Sequence, residues 1–273
     1  MHEEQQLDYN GSKIFYKKTG KGPSVVLVHG FAEDGTIWDK QVEFLKNHTQ
    51  LIIPDLPGSG KSNPGQQFPN GRIYIIDDYA DIIKKILEKE QVSSCIMVGH
   101  SMGGYITLAF AEKYARLLNA FTLFHSTAYA DSDEKKAARR KSIEFMQKNG
   151  TAAFLKQSSP NLFSTATKIH HPEMVQELIQ RYDNFSVQSL VSYYETMILR
   201  PDRTNVLRNC QKPVQFIIGE GDTAVPLEQS LKQCHLPEIS YIHILENIGH
   251  MGMWEASDAV NDLLFAFVNQ VSA

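Results

Sequence analysis

The sequence has few cysteines, no long apolar run and no concentration of positive charge. Its three cysteines, Cys95, Cys210 and Cys234, are too scattered among 273 residues for a disulfide framework. No apolar run is long enough to span a membrane, and the polar, acidic N-terminus lacks the apolar region of a signal peptide. A net charge of −4 without a basic block argues against nucleic acid as a partner. These absences predict a cytoplasmic protein with free thiols.

Motifs for nucleotides and metals are missing as well. Residues 60–62 end like a phosphate-binding P-loop, but the full motif requires glycine where this chain has Asp55. The dinucleotide fingerprint fails because Val25 occupies its third glycine position. Cys234 and His235 are neighbours, but no residue nearby completes the spacing of a zinc site. We therefore expect no cofactor and no metal.

Apolar runs and helical patterns alternate along most of the chain. Residues 14–16 are expected to form an antiparallel edge strand. Continuous apolar runs, typical of strands buried on both faces, occur at residues 25–28, 51–53, 95–98, 120–124, 214–218 and 242–245. Helical patterns occur at residues 38–46, 75–89, 103–114 and 254–269. This alternation predicts an α/β fold with a mostly parallel, doubly wound sheet, in which ligands bind at the carboxyl ends of the strands.

One long segment contains no pattern of a buried strand. Between residues 127 and 209 the sequence instead shows amphipathic helical patterns separated by Gly150 and by prolines at positions 160, 172 and 201. We therefore predict a core made of residues 1–126 and 210–273, interrupted by a helical insertion at residues 127–209.

The motif G-x-S-x-G at residues 99–103 lies between a strand pattern and a helical pattern. In this setting the motif forms a nucleophile elbow, a strained turn that exposes the serine hydroxyl above the sheet. The glycines are needed because a Cβ there would collide with the strand or the helix. Serine between glycines is also common in ordinary turns, so the assignment depends on the elements on either side. Ser101 is the predicted nucleophile.

A nucleophilic serine needs a base and a group that orients the base. Asp222 follows the apolar run at residues 214–218, and His250 follows the run at residues 242–245, so both should reach the same sheet edge as Ser101. We predict His250 as the general base and Asp222 as the acid that holds its tautomer. Glu220 competes for the role of the acid, but the residues around Asp222 are more typical of a loop tip.

An oxyanion that forms next to Ser101 would need two hydrogen-bond donors. The backbone N–H of Met102 is the first, because Met102 follows the nucleophile directly. The backbone N–H of Phe31 is the predicted second, since His29-Gly30-Phe31 follows an earlier strand as a reduced form of the HGGG-type loop.

These stretches together resemble the α/β-hydrolase family. The resemblance rests on residues 29–31, 55–62, 99–104, 219–226 and 249–250, and it covers almost everything outside the insertion. It implies a Ser–His–Asp hydrolase in which the insertion is the helical cap over the active site. Relatives that use aspartate at the elbow are excluded by Ser101. The position after the sixth strand, where some relatives carry the acid, reads His125-Ser126, which favours Asp222.

Apolar and aromatic residues predict the substrate class. The substrate pocket is expected to include Tyr129, Tyr193, Met197, Met251 and Trp254, which favour a small to medium apolar ester. No basic residue is firmly placed to bind a carboxylate, and Arg200 and Arg203 are the only weak candidates. The resemblance leaves open a carbon–carbon bond hydrolase of the meta-cleavage type, a cofactor-free perhydrolase, or a slow-turnover ligand receptor on the same fold. The oligomeric state is left open.

Overall fold

The computed structural model describes residues 3–62 and 72–272, which form an α/β structure around one sheet. The predicted core also includes residues 1, 2, 63–71 and 273, which lie outside this description. The strands are β1 (Glu3–Tyr9), β2 (Ser12–Thr19), β3 (Ser24–Val28), β4 (Gln50–Pro54), β5 (Cys95–His100), β6 (Leu118–Phe124), β7 (Val214–Gly219) and β8 (Ser240–Leu245). Their order in the sheet is β1-β2-β4-β3-β5-β6-β7-β8.

The sheet is mostly parallel, which confirms the predicted fold class. Strand β1 pairs antiparallel with β2 and β2 pairs antiparallel with β4, whereas every other pairing is parallel. Every residue of β5 and β7 is buried, as expected for central strands with helices on both faces. The carboxyl ends of these parallel strands share one edge, where the loops after β3, β5, β7 and β8 meet.

The prediction that residues 14–16 lie at the sheet edge is wrong. These residues belong to β2, and the edge position is taken by β1, which pairs with β2 from Glu3–Lys18 to Tyr9–Ser12. The sequence of β1 is largely polar: one face is exposed, and only Leu7 and Tyr9 of the other pack, half-buried, against the core. Two apolar residues at one end of the strand give too short an alternation to predict it, and the pairing itself uses backbone groups.

The helices occupy both faces of the sheet and the long segment between β6 and β7. They are α1 (Asp39–Leu45), α2 (Ile76–Lys89), α3 (Met102–Tyr114), α4 (Asp133–Ser158), α5 (Thr165–His170), α6 (Pro172–Tyr182), α7 (Val187–Leu199), α8 (Thr204–Arg208), α9 (Leu227–Cys234), α10 (Gly252–Glu255) and α11 (Ser257–Ser272). The helix predicted at residues 254–269 is two helices, α10 and α11, and α9 was not predicted. No described helix is both long and apolar enough to cross a membrane.

The predicted helical insertion contains α4 to α8 and, in its described residues, no strand. Helix α4 is interrupted at Gly150, whose φ of 82° breaks the helical path where the sequence predicted a boundary. The far end of the segment is attached to the core by Arg203. This buried guanidinium lies 2.8 Å from Asp77 of α2 and 3.0 Å from Glu112 of α3. Arg203 therefore anchors the segment to the core and is not a substrate ligand. The division into core and insertion stays a proposal.

Candidate active site

Ser101 occupies a sharp turn between β5, which ends at His100, and α3, which begins at Met102. Its backbone has φ 51° and ψ −114°, a conformation that residues other than glycine rarely adopt. Holding a residue in such a conformation costs on the order of 1–3 kcal/mol. The turn also needs Gly103, because a Cβ there would lie 2.3 Å from the carbonyl oxygen of Val28 in β3. This geometry has the features of a nucleophile elbow.

His250 and Asp222 lie together where the loops after β7 and β8 meet. The distance from His250 Nδ1 to Asp222 Oδ2 is 2.7 Å, and both side chains are buried. The other carboxylate oxygen of Asp222 accepts the N–H groups of Ala224 at 2.8 Å and Val225 at 2.9 Å. These bonds fix the carboxylate, so the imidazole carries its proton on Nδ1 and keeps Nε2 free as a base.

The pKa of Asp222 shows how strongly its charge is stabilised. Burial alone would raise this pKa, but the neighbouring imidazoles of His250, which is hydrogen-bonded to the carboxylate, and of His125 outweigh burial and hold the pKa far below its ordinary value. Glu220, the competing candidate for the acid, is exposed and accepts the N–H of Asn247 at 3.0 Å. The structure therefore places Asp222, and not Glu220, beside His250.

A second histidine contacts the same carboxylate. His125 Nδ1 lies 3.3 Å from Asp222 Oδ2, and burial lowers the pKa of His125 to about 4, so the ring is neutral at pH 7. The same nitrogen accepts the backbone N–H of Gly219 at 3.2 Å, so His125 lies against the carboxylate as a buried polar neighbour and not as its donor. In the sequence, His125 served only to show that the acid does not follow the sixth strand. Its contact with Asp222 was not predicted.

We expect that His125→Leu lowers kcat for ester hydrolysis about tenfold, because Asp222 then loses the polar imidazole 3.3 Å from its carboxylate, and the N–H of Gly219 loses its acceptor. His125→Asn, which keeps a polar side chain and tolerates the φ of 47° at this position, should recover most of the loss. Steady-state kinetics on a chromogenic ester, with thermal melts as a check of folding, measure both. Two folded variants with wild-type kcat would show that the contact is unimportant.

His100, the second residue of the G-x-S-x-G motif, connects two loops of the site. Its Nδ1 lies 3.1 Å from Glu33 Oε2, and its Nε2 lies 3.0 Å from the carbonyl oxygen of His250. Glu33 Oε2 also accepts the N–H of Gly30 at 2.7 Å. An imidazolium satisfies both contacts of His100 as a donor. The sequence did not predict this pair, since 67 residues separate its members.

The Glu33–His100 pair should make folding stability depend on pH. Burial would raise the pKa of Glu33, but His100 lowers it below 4.5; burial would lower the pKa of His100, but Glu33 raises it above 6.5. The contribution of Glu33 is therefore lost as pH falls through its folded pKa. The contribution of His100 is complete below 6.5 and is lost as pH rises through its folded pKa.

We expect Glu33→Gln to reduce the free energy of unfolding by about 3–5 kcal/mol between pH 5 and 6.5, where both partners are charged. The difference from wild type should shrink as pH rises through the folded pKa of His100, because His100 then loses its proton in the wild-type protein. Urea unfolding across this pH range measures it. Glu228→Gln, at an exposed carboxylate, is the control and should leave the pH profile unchanged. A gap that stays constant with pH would contradict the assigned charge states.

Ser101 and His250 line one cavity of about 420 Å³. Its walls come from both the core and the helical segment: Phe31, Glu33, Tyr105, Lys135, Arg139, Leu162, Tyr194, Met197, Thr223, Ala224, Val225, Pro226 and Gln229. A second cavity of about 80 Å³ shares Phe31, Glu33, Leu162 and Tyr194 with it and adds apolar residues such as Phe154 and Leu178. Met197 is the only residue of the predicted substrate pocket that lines the cavity at Ser101.

The other four residues of the predicted pocket do not line this cavity. Tyr193 is buried with its hydroxyl donating to the carbonyl of Pro57 at 2.8 Å. The Trp254 indole N–H donates to Ile37 at 3.1 Å. Met251 is fully buried, and Tyr129 likewise lies outside the cavity lining. Side chains on successive residues of a helix point about 100° apart, so Tyr194 faces the cavity where Tyr193 was predicted.

The predicted oxyanion donors lie beside the nucleophile. Met102 is the first residue of α3, so its N–H has no acceptor within the helix. The loop after β3 approaches Ser101 closely, because a Cβ on Gly30 would lie 3.2 Å from Ser101 Cβ. Phe31 follows in this loop, and its ring stacks on Tyr194 with centroids 4.2 Å apart. This placement is compatible with both backbone donors, and their role stays a prediction.

Fold and site together have the architecture of a hydrolase with a nucleophile elbow. The family model of the α/β hydrolase fold matches residues 23–257, and the chain belongs to that family. A thermophilic esterase from Thermogutta terrifontis, solved with malate bound, is 26% identical, with a TM-score of 0.90 and complete coverage of both chains.

Two relatives known by sequence differ in their activities. A 2-hydroxy-6-oxononadienedioate/2-hydroxy-6-oxononatrienedioate hydrolase from Paraburkholderia phymatum is 26% identical over 94% of this chain and 91% of its own. A karrikin insensitive 2 receptor from Petunia hybrida is 26% identical over 90% of this chain and 92% of its own. The matches support a hydrolase of this family but not one particular substrate.

Proposed function

We propose that this protein is a serine hydrolase that cleaves carboxylic esters through an acyl-enzyme. The observation that carries the proposal is the 2.7 Å contact between His250 Nδ1 and Asp222, within the cavity that Ser101 and His250 line together. The strained backbone of Ser101 and the loop at Gly30 beside it support the same reading. The likeness to the Thermogutta esterase is consistent with it.

In the first half of the proposed reaction, Ser101 Oγ attacks the ester carbonyl carbon while His250 Nε2 takes the hydroxyl proton. The resulting oxyanion accepts hydrogen bonds from the N–H groups of Phe31 and Met102. Asp222 stabilises the imidazolium that forms. The alcohol then leaves with the proton from His250, and the acyl group remains bonded to Ser101.

In the second half, His250 Nε2 takes a proton from water, which attacks the acyl carbon. The tetrahedral intermediate collapses, Ser101 recovers its proton from His250, and the carboxylic acid is released. Side chains and backbone groups of the protein fill every role, so the proposal requires no metal and no organic cofactor. The small cavity at Phe154 and Leu178 could hold a short apolar group of the substrate.

Pre-steady-state kinetics of ester hydrolysis test the proposal. They also distinguish an esterase from a receptor and from a carbon–carbon bond hydrolase. Acyl chains of two to eight carbons are compared as 4-nitrophenyl esters. A burst followed by rapid turnover supports an esterase. A burst followed by nearly stalled hydrolysis would favour a receptor, as in the Petunia relative. Cleavage of vinylogous 1,5-diketones without ester cleavage would favour a carbon–carbon bond hydrolase.

A further inference from the structure

One wall of the cavity at Ser101 carries more positive than negative charge. Asp131, which is fully buried, lies 2.6 Å from Arg139 Nε and 3.0 Å from Arg200 Nη2. One carboxylate thus serves two guanidinium groups. Arg139 lines the cavity, and its Nη1 takes part in neither of its two bonds with Asp131. Arg200, proposed from the sequence as a weak substrate ligand, does not line the cavity. It forms an ion pair with Asp131, the carboxylate that also binds Arg139.

Lys135 adds a third cation to the same wall. It lies one helical turn before Arg139 on α4, and both residues line the cavity. Lys135 Nζ donates to the carbonyl oxygen of Ala224 at 2.9 Å. It forms no ion pair with a carboxylate of the described residues, so its charge is not neutralised. Glu33, the only carboxylate among the described residues that line this cavity, is engaged by His100 and Gly30. The wall therefore keeps excess positive charge.

The hydroxyl of Tyr105 gives independent evidence for a ligand at this wall. Tyr105 is only 4% exposed and lines the cavity, yet its hydroxyl forms no hydrogen bond with any group in residues 3–62 or 72–272. The guanidinium of Arg200 lies 3.9 Å from the centre of its ring. Burial would raise the pKa of Tyr105, but the charges of Arg200, Lys135 and Arg139 lower it. A phenol whose ring is nearly buried and whose hydroxyl opens on the cavity, in a positive field, is suited to donate to an anion.

We propose that the substrate carries a carboxylate, which binds Lys135, Arg139 Nη1 and the Tyr105 hydroxyl while the ester reaches Ser101. This inference rests on the proposed function and names the substrate class within it. Two cationic groups and one hydroxyl match the negative charge and the two oxygens of a carboxylate. The substrate is then an ester with an anionic end, and the apolar class expected from the sequence describes only its remaining part.

Matched pairs of substrates test the charge directly. On the acyl side, 4-nitrophenyl hemiadipate is compared with its uncharged amide, 4-nitrophenyl adipamate. On the alcohol side, 3-acetoxybenzoate is compared with 3-acetoxybenzamide. We expect kcat/KM to favour the charged member of at least one pair by about tenfold or more, since hydrogen bonds to charged groups have this strength. No preference in either pair would overturn the inference.

Variants then test whether these residues recognise the charge. Lys135→Met and Arg139→Gln should each remove most of the preference, reducing the ratio of charged to uncharged kcat/KM about tenfold, and Tyr105→Phe should reduce it less. Lys141→Met and Arg140→Gln change exposed cations on the same helix and should leave the ratio unchanged. A preference that survives all three cavity variants would overturn the inference. If Arg139→Gln fails to fold, Lys135→Met and Tyr105→Phe still decide the question.

Direct binding keeps this inference separate from the proposed reaction. Calorimetry with hexanoate and hexanamide needs no turnover. Tighter binding of hexanoate to wild type, lost in Lys135→Met, would support the anion site even if no ester were cleaved, and the proposed function alone would then fail. Ester cleavage that depends on Ser101 but shows no preference for charge would leave the proposed function standing and overturn the anion site.

Discussion

Replacement of Ser101 by alanine is expected to lower kcat for ester hydrolysis by about 10⁴- to 10⁶-fold, the range typical for loss of a triad nucleophile. No other hydroxyl group of the described residues lines the cavity beside His250 except those of Tyr105, Tyr194 and Thr223, and none of these lies in an elbow. The physical reason is that no acyl-enzyme can form without Oγ. Steady-state kinetics and labelling by a fluorophosphonate, read by mass spectrometry, measure the effect.

Ser93→Ala, at an exposed position before β5, is the matched control and should keep wild-type turnover and labelling. Alanine at position 101 has to adopt the same unusual backbone conformation as serine, without the flexibility of glycine. A thermal melt therefore checks that Ser101→Ala is folded. A folded Ser101→Ala protein with near-wild-type activity would rule out the proposed mechanism.

Asp222→Asn is expected to reduce kcat by about 10⁴-fold while the protein remains folded. The asparagine oxygen can still accept the N–H groups of Ala224 and Val225. Its NH₂ group would then face His250 Nδ1, which must become an acceptor. The imidazole proton would move to Nε2, where a base is needed to take the proton of Ser101. Steady-state kinetics on a 4-nitrophenyl ester measure the loss.

Glu220→Gln provides the comparison, because Glu220 follows the same strand and also carries a carboxylate. It is exposed and bonded to the backbone of Asn247, so its replacement should change kcat by less than about threefold, as for other surface substitutions. If Glu220→Gln abolished activity and Asp222→Asn did not, the acid would have to be reassigned to Glu220.

The central part of the fold could be read from the sequence because burial on both faces leaves uninterrupted apolar runs. Strands β3, β5 and β7 lie where such runs were found. Strand β1 could not be predicted in this way, since its pairing uses backbone groups that every sequence carries. Helix α9 was missed because it is short, and short helices depend on packing more than on their own periodicity.

Local sequence determined the candidate nucleophile, because the elbow is made by neighbouring residues whose spacing the chain itself sets. Asp222 and His250 could be proposed because residues that follow parallel strands reach the same edge of a sheet. Two carboxylates followed β7, however, and only the packed loops showed that Asp222, and not Glu220, lies beside His250.

The surroundings of the site depended on tertiary structure. Nothing in the sequence distinguishes Lys135 and Arg139 from other charges on a helix, and only the tertiary structure places them in the cavity lining with Ser101. The phase of α7 decided between Tyr193 and Tyr194, which sequence patterns treat alike. Contacts such as Glu33–His100 join residues far apart in the chain, and their energy depends on distance and burial, which a sequence does not contain.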